Sequence, residues 1–268
     1  MNVTGWARNE PRVSVDGVRY RAVDIRDEAA CRQAMADAAP HRVFHLGALT
    51  SPQACAQDPE SAAATNVHGT VNVFSNMPGG ALGLFASTCH VYGAARTIPT
   101  DEAEPLRPAG VYAQSKVDAE DWIRESMLPI VIARAFHHTG ETQSSEYALA
   151  GWCARLREGA SRLMVGNIDV CRDYSDVRDV VSGYALLIEE GVHREAYNLC
   201  SGQSYSMRQF IDWAKGNRAL SIEVDPERMR EADVPVLCGD PTRAETLGWT
   251  RKFLIKDTLA EMAGAAAS

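Results

Sequence analysis

No stretch of this chain approaches the ~20 consecutive apolar residues that a membrane-spanning helix requires. The opening Met1-Asn2-Val3-Thr4-Gly5-Trp6-Ala7-Arg8 lacks the basic start and apolar centre of a secretory signal. Basic blocks are also missing. With a net charge of -8, nothing in the sequence can neutralise a run of phosphates, which argues against a nucleic-acid or membrane-surface role. There is no internal repeat, and no low-complexity segment beyond the Ala-rich tail at 265–267. The seven cysteines, Cys31, Cys55, Cys89, Cys153, Cys171, Cys200 and Cys238, form no C-x-x-C pair and have no His at zinc-ligand spacing. That pattern argues against a disulfide framework or a structural metal, and for reduced thiols in a cytosol. A cytoplasmic protein without bound metal is the expectation.

The chain does have the means to build a core. Its 268 residues, 46% hydrophobic and 23% charged, suit one large α/β domain or one plus a small lobe. In the first half, β-rich runs alternate with amphipathic helical stretches. Strands are predicted at Val3–Ala7, Tyr20–Val23, Arg42–Leu46, Ala81–Ser87 and Leu128–Arg134, and helices at Glu28–Ala38, Ala62–Phe74 and Tyr112–Glu125. Such alternation implies βαβ units and a doubly wound parallel sheet with ligands at the strand C-termini. After about Thr139 the pattern loosens: helices at Glu146–Glu158 and Val177–Glu190 and a short strand at Val170–Tyr174 are joined by small elements at Tyr197–Leu199, Met207–Lys215, Ser221–Val224 and Ile255–Met262. The expected organisation is a core over 1–139 and a smaller, partly interleaved lobe over 140–268.

The chemistry-bearing pattern is Tyr112-Ala113-Gln114-Ser115-Lys116. Tyr and Lys four apart on a helix share a face, and a nearby ammonium favours the phenolate, making the phenol a usable general acid or base. Alone, Y-x-x-x-K is weak. Upstream, Ala86-Ser87-Thr88-Cys89-His90-Val91-Tyr92-Gly93 follows a predicted strand, and a hydroxyl there could bond the same substrate oxygen as Tyr112.

These pieces lie in one order with Val23-Asp24-Ile25-Arg26-Asp27, His45-Leu46-Gly47-Ala48, Asn66-Val67-His68-Gly69-Thr70, Arg134-Ala135-Phe136-His137-His138-Thr139-Gly140 and Arg172-Asp173-Tyr174. Together they resemble the extended short-chain dehydrogenase/reductases that act on nucleotide sugars, the NAD-dependent epimerase/dehydratase family. The C-terminal half, with Val165-Gly166-Asn167, Tyr197-Asn198-Leu199-Cys200-Ser201-Gly202 and Arg228-Met229-Arg230, is most similar to the GDP-4-keto-6-deoxy-mannose reductases and GDP-mannose dehydratases.

The resemblance implies a Rossmann-like fold, an NADP or NAD cofactor and a nucleotide-diphospho-sugar partner. It assigns catalysis to Thr88, Tyr112 and Lys116. Substrate contacts fall to Thr88, His90, His137, Arg172, Arg230 and Asp233, the arginines on the phosphates, where a planar fork donates two hydrogen bonds, and Asp233 on the ribose. Cofactor contacts fall to Arg8, Asp24, Ile25, Leu46, Gly47, Ala48, Tyr112 and Lys116. Arg8, at a strand end, suits the 2′-phosphate of NADP. Asp24 lines the adenine pocket or, equally, caps the helix that follows. A homodimer is expected by analogy.

Two departures stand out. The family opens with a strand and a G-x-x-G-x-x-G turn, whereas Val3–Ala7 matches the family's second strand and no such turn occurs. Either the functional protein is longer, or a truncated chain serves as an inactive sugar-nucleotide-binding protein. Where the family's 4,6-dehydratases carry an acid and a base after the catalytic hydroxyl, this chain has Cys89 and His90, with no carboxylate to take a C5 proton. Reduction of a 4-keto sugar is therefore favoured over dehydration, with epimerisation the alternative.

Overall fold

The computed structural model describes residues 2–9, 14–229 and 234–264. The chain divides into two compact units. The first comprises residues 1–93, 106–133 and 187–196, and the second comprises 94–105, 134–186 and 197–268.

The first unit contains β1 (Val3–Ala7), β2 (Val18–Ala22), α1 (Glu28–Ala38), β3 (Arg42–His45), α2 (Pro52–Gln57), α3 (Pro59–Ala63), α4 (Gly69–Ser75), β4 (Leu82–Thr88), α5 (Val111–Glu125) and most of β5 (Ile130–Ala135). Local chemistry sets the helix starts. The Asp27 carboxylate accepts from Ala30 N at 3.0 Å to cap α1, and Ser51 and Asp58 do the same for α2 and α3, each with Pro next in sequence. Helix capping thus falls to Asp27, not to Asp24.

β1 and β2 pair in parallel, from Val3 with Val18 to Ala7 with Ala22, as a sheet of two. β3 and β4 pair in parallel, from Arg42 with Leu82 to His45 with Phe85, in a four-stranded sheet ordered β3, β4, β5 and the strand Ala196–Leu199. Strands covered on both faces read as continuous apolar runs. β4 and β5 follow this, with all six residues of β5 buried. Burial is shallower in β1 and β3, where Val3 and Phe44 stay exposed, and among the described residues each of the two has one strand neighbour. The core gathers Val23, Met35, Val73, Phe74, Phe85, Ile123, Ile130 and Ile132, with Trp6, Ile25 and Val43 packed against it.

The predicted single helix over Ala62–Phe74 is interrupted. α3 ends at Ala63, residues Ala64–His68 form a π-helical turn, and α4 begins at Gly69. A side chain at Gly69 would put its Cβ 2.8 Å from Ile25, so the helix approaches that strand end only with glycine there.

The second unit holds β6 (His137–Thr139), α6 (Ala148–Arg157), β7 (Arg162–Val165), β8 (Cys171–Arg172), β9 (Tyr174–Asp176), α7 (Val177–Glu190), β10 (Ala196–Leu199), β11 (Tyr205–Ser206), α8 (Met207–Lys215), β12 (Ser221–Val224), β13 (Val236–Leu237), α9 (Thr242–Thr246) and α10 (Ile255–Met262); the chain crosses between units within β5, α7 and β10. The expected strand Val170–Tyr174 divides at Asp173: β8 pairs with β11 and β13, and β9 pairs with β6. Asp173, fully buried, accepts bonds from Ser201 N, Ser201 Oγ, Gly202 N and Gly239 N, a set of donors that turns the chain there. The core of this unit is built on Leu149, Leu156, Leu163, Phe210, Ile211 and Leu259. Among the described residues no helix is long and apolar enough to cross a membrane, and no group of three or more His, Cys, Asp or Glu could hold a metal ion.

Candidate active site

α5 brings Tyr112 and Lys116 onto one face, one turn apart, and β4 delivers Thr88 from its C-terminal end, all within the first unit. After Thr88 the chain makes a 3-10 turn, Cys89–Tyr92, in which Thr88 Oγ1 accepts from His90 N at 3.3 Å. The turn closes at Gly93, φ 58°, where a Cβ would lie 2.0 Å from the Arg107 carbonyl oxygen. The His90 ring stands edge-on to Tyr112, centroids 6.3 Å apart. The His90 ring thus meets Tyr112, and Lys116 reaches the strand that ends at Thr88. Ser87 does not join them: its Oγ donates to Glu120 Oε1 at 2.5 Å, as alternation along a strand requires.

Lys116 is 3% exposed. Its Nζ donates to the Ala86 carbonyl at 2.8 Å and lies 4.6 Å from the centroid of the Phe85 ring. Burial lowers its pKa from 10.5 to about 8, and the Glu120 carboxylate opposes that fall. An amine so placed is cationic at neutral pH, with donors beyond the one Ala86 uses.

Two buried groups that the sequence reading left without a role complete this geometry. Asn66, in the π-helical turn, accepts from Leu49 N (2.7 Å) and donates to Leu49 O (3.1 Å) and Ser115 Oγ (2.9 Å), while Ser115 Oγ donates to Tyr112 O (2.8 Å). The loop after β3 is thus tied to the first turn of α5 through one amide. His45 Nε2 lies 3.0 Å from Thr70 Oγ1, which donates to Asn66 O, and the ring stacks on Phe85. Burial, with the charge of Lys116 second, lowers the His45 pKa to about 3, so the ring is neutral. A helical period broken by a buried Asn is a signal for such a residue, since π-bulges recur at functional sites.

Arg8 and Asp24 follow the ends of the neighbouring parallel strands β1 and β2. Hydrogen bonds from Arg26 hold the Asp24 carboxyl down at about 2. Past β3, Leu46 is 58% exposed, and Gly47 adjoins Ile25: a Cβ there would sit 3.6 Å from Ile25 Cδ1. The residues that the resemblance assigns to a dinucleotide follow the ends of β1, β2 and β3 (Arg8, Asp24, Ile25, Leu46, Gly47 and Ala48) and lie in the first turns of α5 (Tyr112 and Lys116). The 268 residues contain no glycine-rich turn for the pyrophosphate.

In the second unit, β6 and β9 pair His137 with Tyr174, and their rings lie 5.0 Å apart. Arg172 is buried, and its Nη1 donates to Cys171 O and Val234 O, both at 2.8 Å. Arg230 and Asp233 lie outside the described residues.

The chain is similar to known proteins in sequence and in fold. The GDP-6-deoxy-D-mannose reductase of Pseudomonas aeruginosa is 33% identical over 237 residues, 82% of this chain and 78% of that protein. The solved structure of the Pseudomonas aeruginosa RMD protein complexed with NADPH superposes with a TM-score of 0.83 at 27% identity, over 94% of this chain and 90% of that one. The Thermotoga maritima UDP-glucose 4-epimerase shares the fold, with a TM-score of 0.88 at 24% identity over 98% and 90% of the two chains. The sequence profile described as GDP-mannose 4,6 dehydratase matches residues 4–262, and the chain belongs to that family.

Proposed function

We propose that this protein is an NADP(H)-linked oxidoreductase acting on a nucleotide-diphospho-sugar, by reduction of a 4-keto group on a GDP-6-deoxyhexose. The observation that carries the reading is that Lys116 Nζ reaches the Ala86 carbonyl of β4 while the His90 ring, just past Thr88, meets Tyr112, with no carboxylate at residues 89 and 90. The cofactor supplies hydride to the ketone carbon. The protein's own part is at the oxygen. The Thr88 hydroxyl donates to it, the Tyr112 phenol gives it a proton, and the Lys116 ammonium favours the phenolate left behind until solvent restores the proton. Arg8 favours NADP over NAD by pairing with the 2′-phosphate. The similarity to a GDP-6-deoxy-D-mannose reductase supports the choice of base and sugar. His137, Arg172, Arg230 and Asp233 serve the sugar nucleotide, and a homodimer forms through the outer face of α5, where Gln114 and Asp118 line an open hollow with Pro59 and Ala63 of the α3 segment.

The test is mixing protein, NADPH and a GDP-4-keto-6-deoxyhexose and following loss of the reduced-nicotinamide absorbance. It is run on the chain as given and on a version extended at its N-terminus by the segment of the Pseudomonas reductase that precedes the matched region. Absence of turnover in both rejects the reading. Turnover of a nucleotide sugar with no cofactor added, by protein that copurifies with NAD, assigns an epimerase instead.

A further inference from the structure

Along α5 the residues Tyr112, Lys116, Glu120 and Arg124 recur every four positions, so a single helix stripe alternates phenol, ammonium, carboxylate and guanidinium. Glu120 is the least accessible of these, with no exposed surface. A carboxylate so buried costs free energy unless fully paired. Here Ser87 Oγ donates to Oε1 at 2.5 Å and Arg124 Nη2 donates to Oε2 at 2.6 Å. Ser87 follows Ala86, whose carbonyl receives Lys116 Nζ. Two successive residues of β4 therefore grip two successive turns of α5, one through Lys116 and one through Glu120. The remaining charged or titratable neighbours of Lys116 are His45 at the end of β3, held neutral by burial, Cys55 on α2 and Tyr112 itself; the Phe85 ring covers the ammonium from β4. Glu120 is the carboxylate in this set, paired with Arg124 on the same helix.

We propose that Glu120 is a positioning residue for the reaction: its carboxylate, clamped by Ser87 and Arg124, keeps Lys116 cationic and seated on the Ala86 carbonyl. This rests on the reading of Tyr112 and Lys116 as the proton-transfer pair. Its test is separable from that reading, because Lys116 can be titrated with no cofactor or substrate present. The chain has only four lysines, Lys116, Lys215, Lys252 and Lys256, so the side-chain NMR signal of Lys116 in lysine-labelled protein is assigned by its loss in Lys116→Met.

Glu120→Gln keeps the shape and removes the charge. Its expected effect is a Lys116 titration midpoint lower by about one pH unit, a tenfold change in the protonation constant. Glu120→Asp, which keeps the charge, leaves the midpoint closer to that of the parent. In the extended protein, Glu120→Gln lowers kcat about tenfold with little change in KM for the sugar nucleotide, and moves the pH profile with the lysine midpoint. If Glu120→Gln does not fold, Ser87→Ala loosens the same clamp from the strand side and shifts the midpoint in the same direction by a smaller amount. An unchanged midpoint in a folded variant overturns the proposal. A shifted midpoint in a protein with no turnover leaves Glu120 its role and removes the enzymatic reading instead.

Discussion

Replacing Lys116 by Met exposes the free energy stored in a buried ammonium. Holding Lys116 inside the fold lowers its pKa from 10.5 to about 8, and that gap corresponds to about 3 kcal/mol at pH values where both folded and unfolded chains carry the proton. Met fills a similar volume without charge. It also abandons the Ala86 carbonyl, which costs about 1–3 kcal/mol if nothing else bonds it. At pH 7 the variant is therefore expected to equal the parent or exceed it by up to about 2 kcal/mol, although it removes a residue of the proton-transfer pair. The pH dependence isolates the charge. Below pH 8 the lysine is protonated in both states and the difference is constant. Between pH 8 and 10.5 the unfolded parent holds a proton that the folded parent has released, so the parent gains on the variant by up to about 1.4 kcal/mol per pH unit. Cys31 and Cys153, whose folded pKa is raised without a contribution from Lys116, titrate in both proteins and cancel. Urea unfolding of both proteins at pH 7, 8, 9 and 10 measures the difference. A flat difference across that range would refute the buried-ammonium argument.

Tyr112→Phe is expected to cut turnover of the extended protein by about 10²-fold or more while leaving unfolding stability near that of the parent, checked by rate assay and denaturation together. Asn66→Ala removes three hydrogen bonds that join the loop after β3 to α5, and should cost about 2–4 kcal/mol on urea unfolding while reducing kcat. Gly93→Ala forces a Cβ to within 2.0 Å of the Arg107 carbonyl oxygen, and should destabilise the first unit by about 3 kcal/mol or more, read as a lowered thermal midpoint. His45, neutral in the fold with a pKa of about 3, loses stability as pH falls below its unfolded value of 6.5, because only the unfolded chain takes up the proton. Acid titration of His45→Gln should therefore show a shallower loss, by about 2 kcal/mol between pH 6.5 and 5.

The βαβ rhythm and the Y-x-x-x-K spacing were open to reading in the sequence because each is local: a strand alternates, a helix repeats, and residues four apart must share a face. The strand at Val3–Ala7 and the helices at Glu28–Ala38 and Val177–Glu190 follow those rules from first residue to last, while the elements at Met207–Lys215, Ser221–Val224 and Ile255–Met262 were legible in their bounds but not in their type. What escaped depends on partners far along the chain. Nothing near Asn66 reveals that its amide meets Leu49 and Ser115, and Glu120 looks like one more carboxylate of a solvated helix until Ser87 is found beneath it. The division at Asp173 was hidden for the same reason, since its four donors come from Ser201, Gly202 and Gly239.

Among the described residues β1 and β3 each have one strand neighbour, and that bears on how the protein is handled. Peptide groups along such a flank accept any extended chain that arrives in parallel, with no requirement for a covalent link. Crowded molecules can pair such flanks with one another. Solubility at high concentration becomes a direct readout of that pairing.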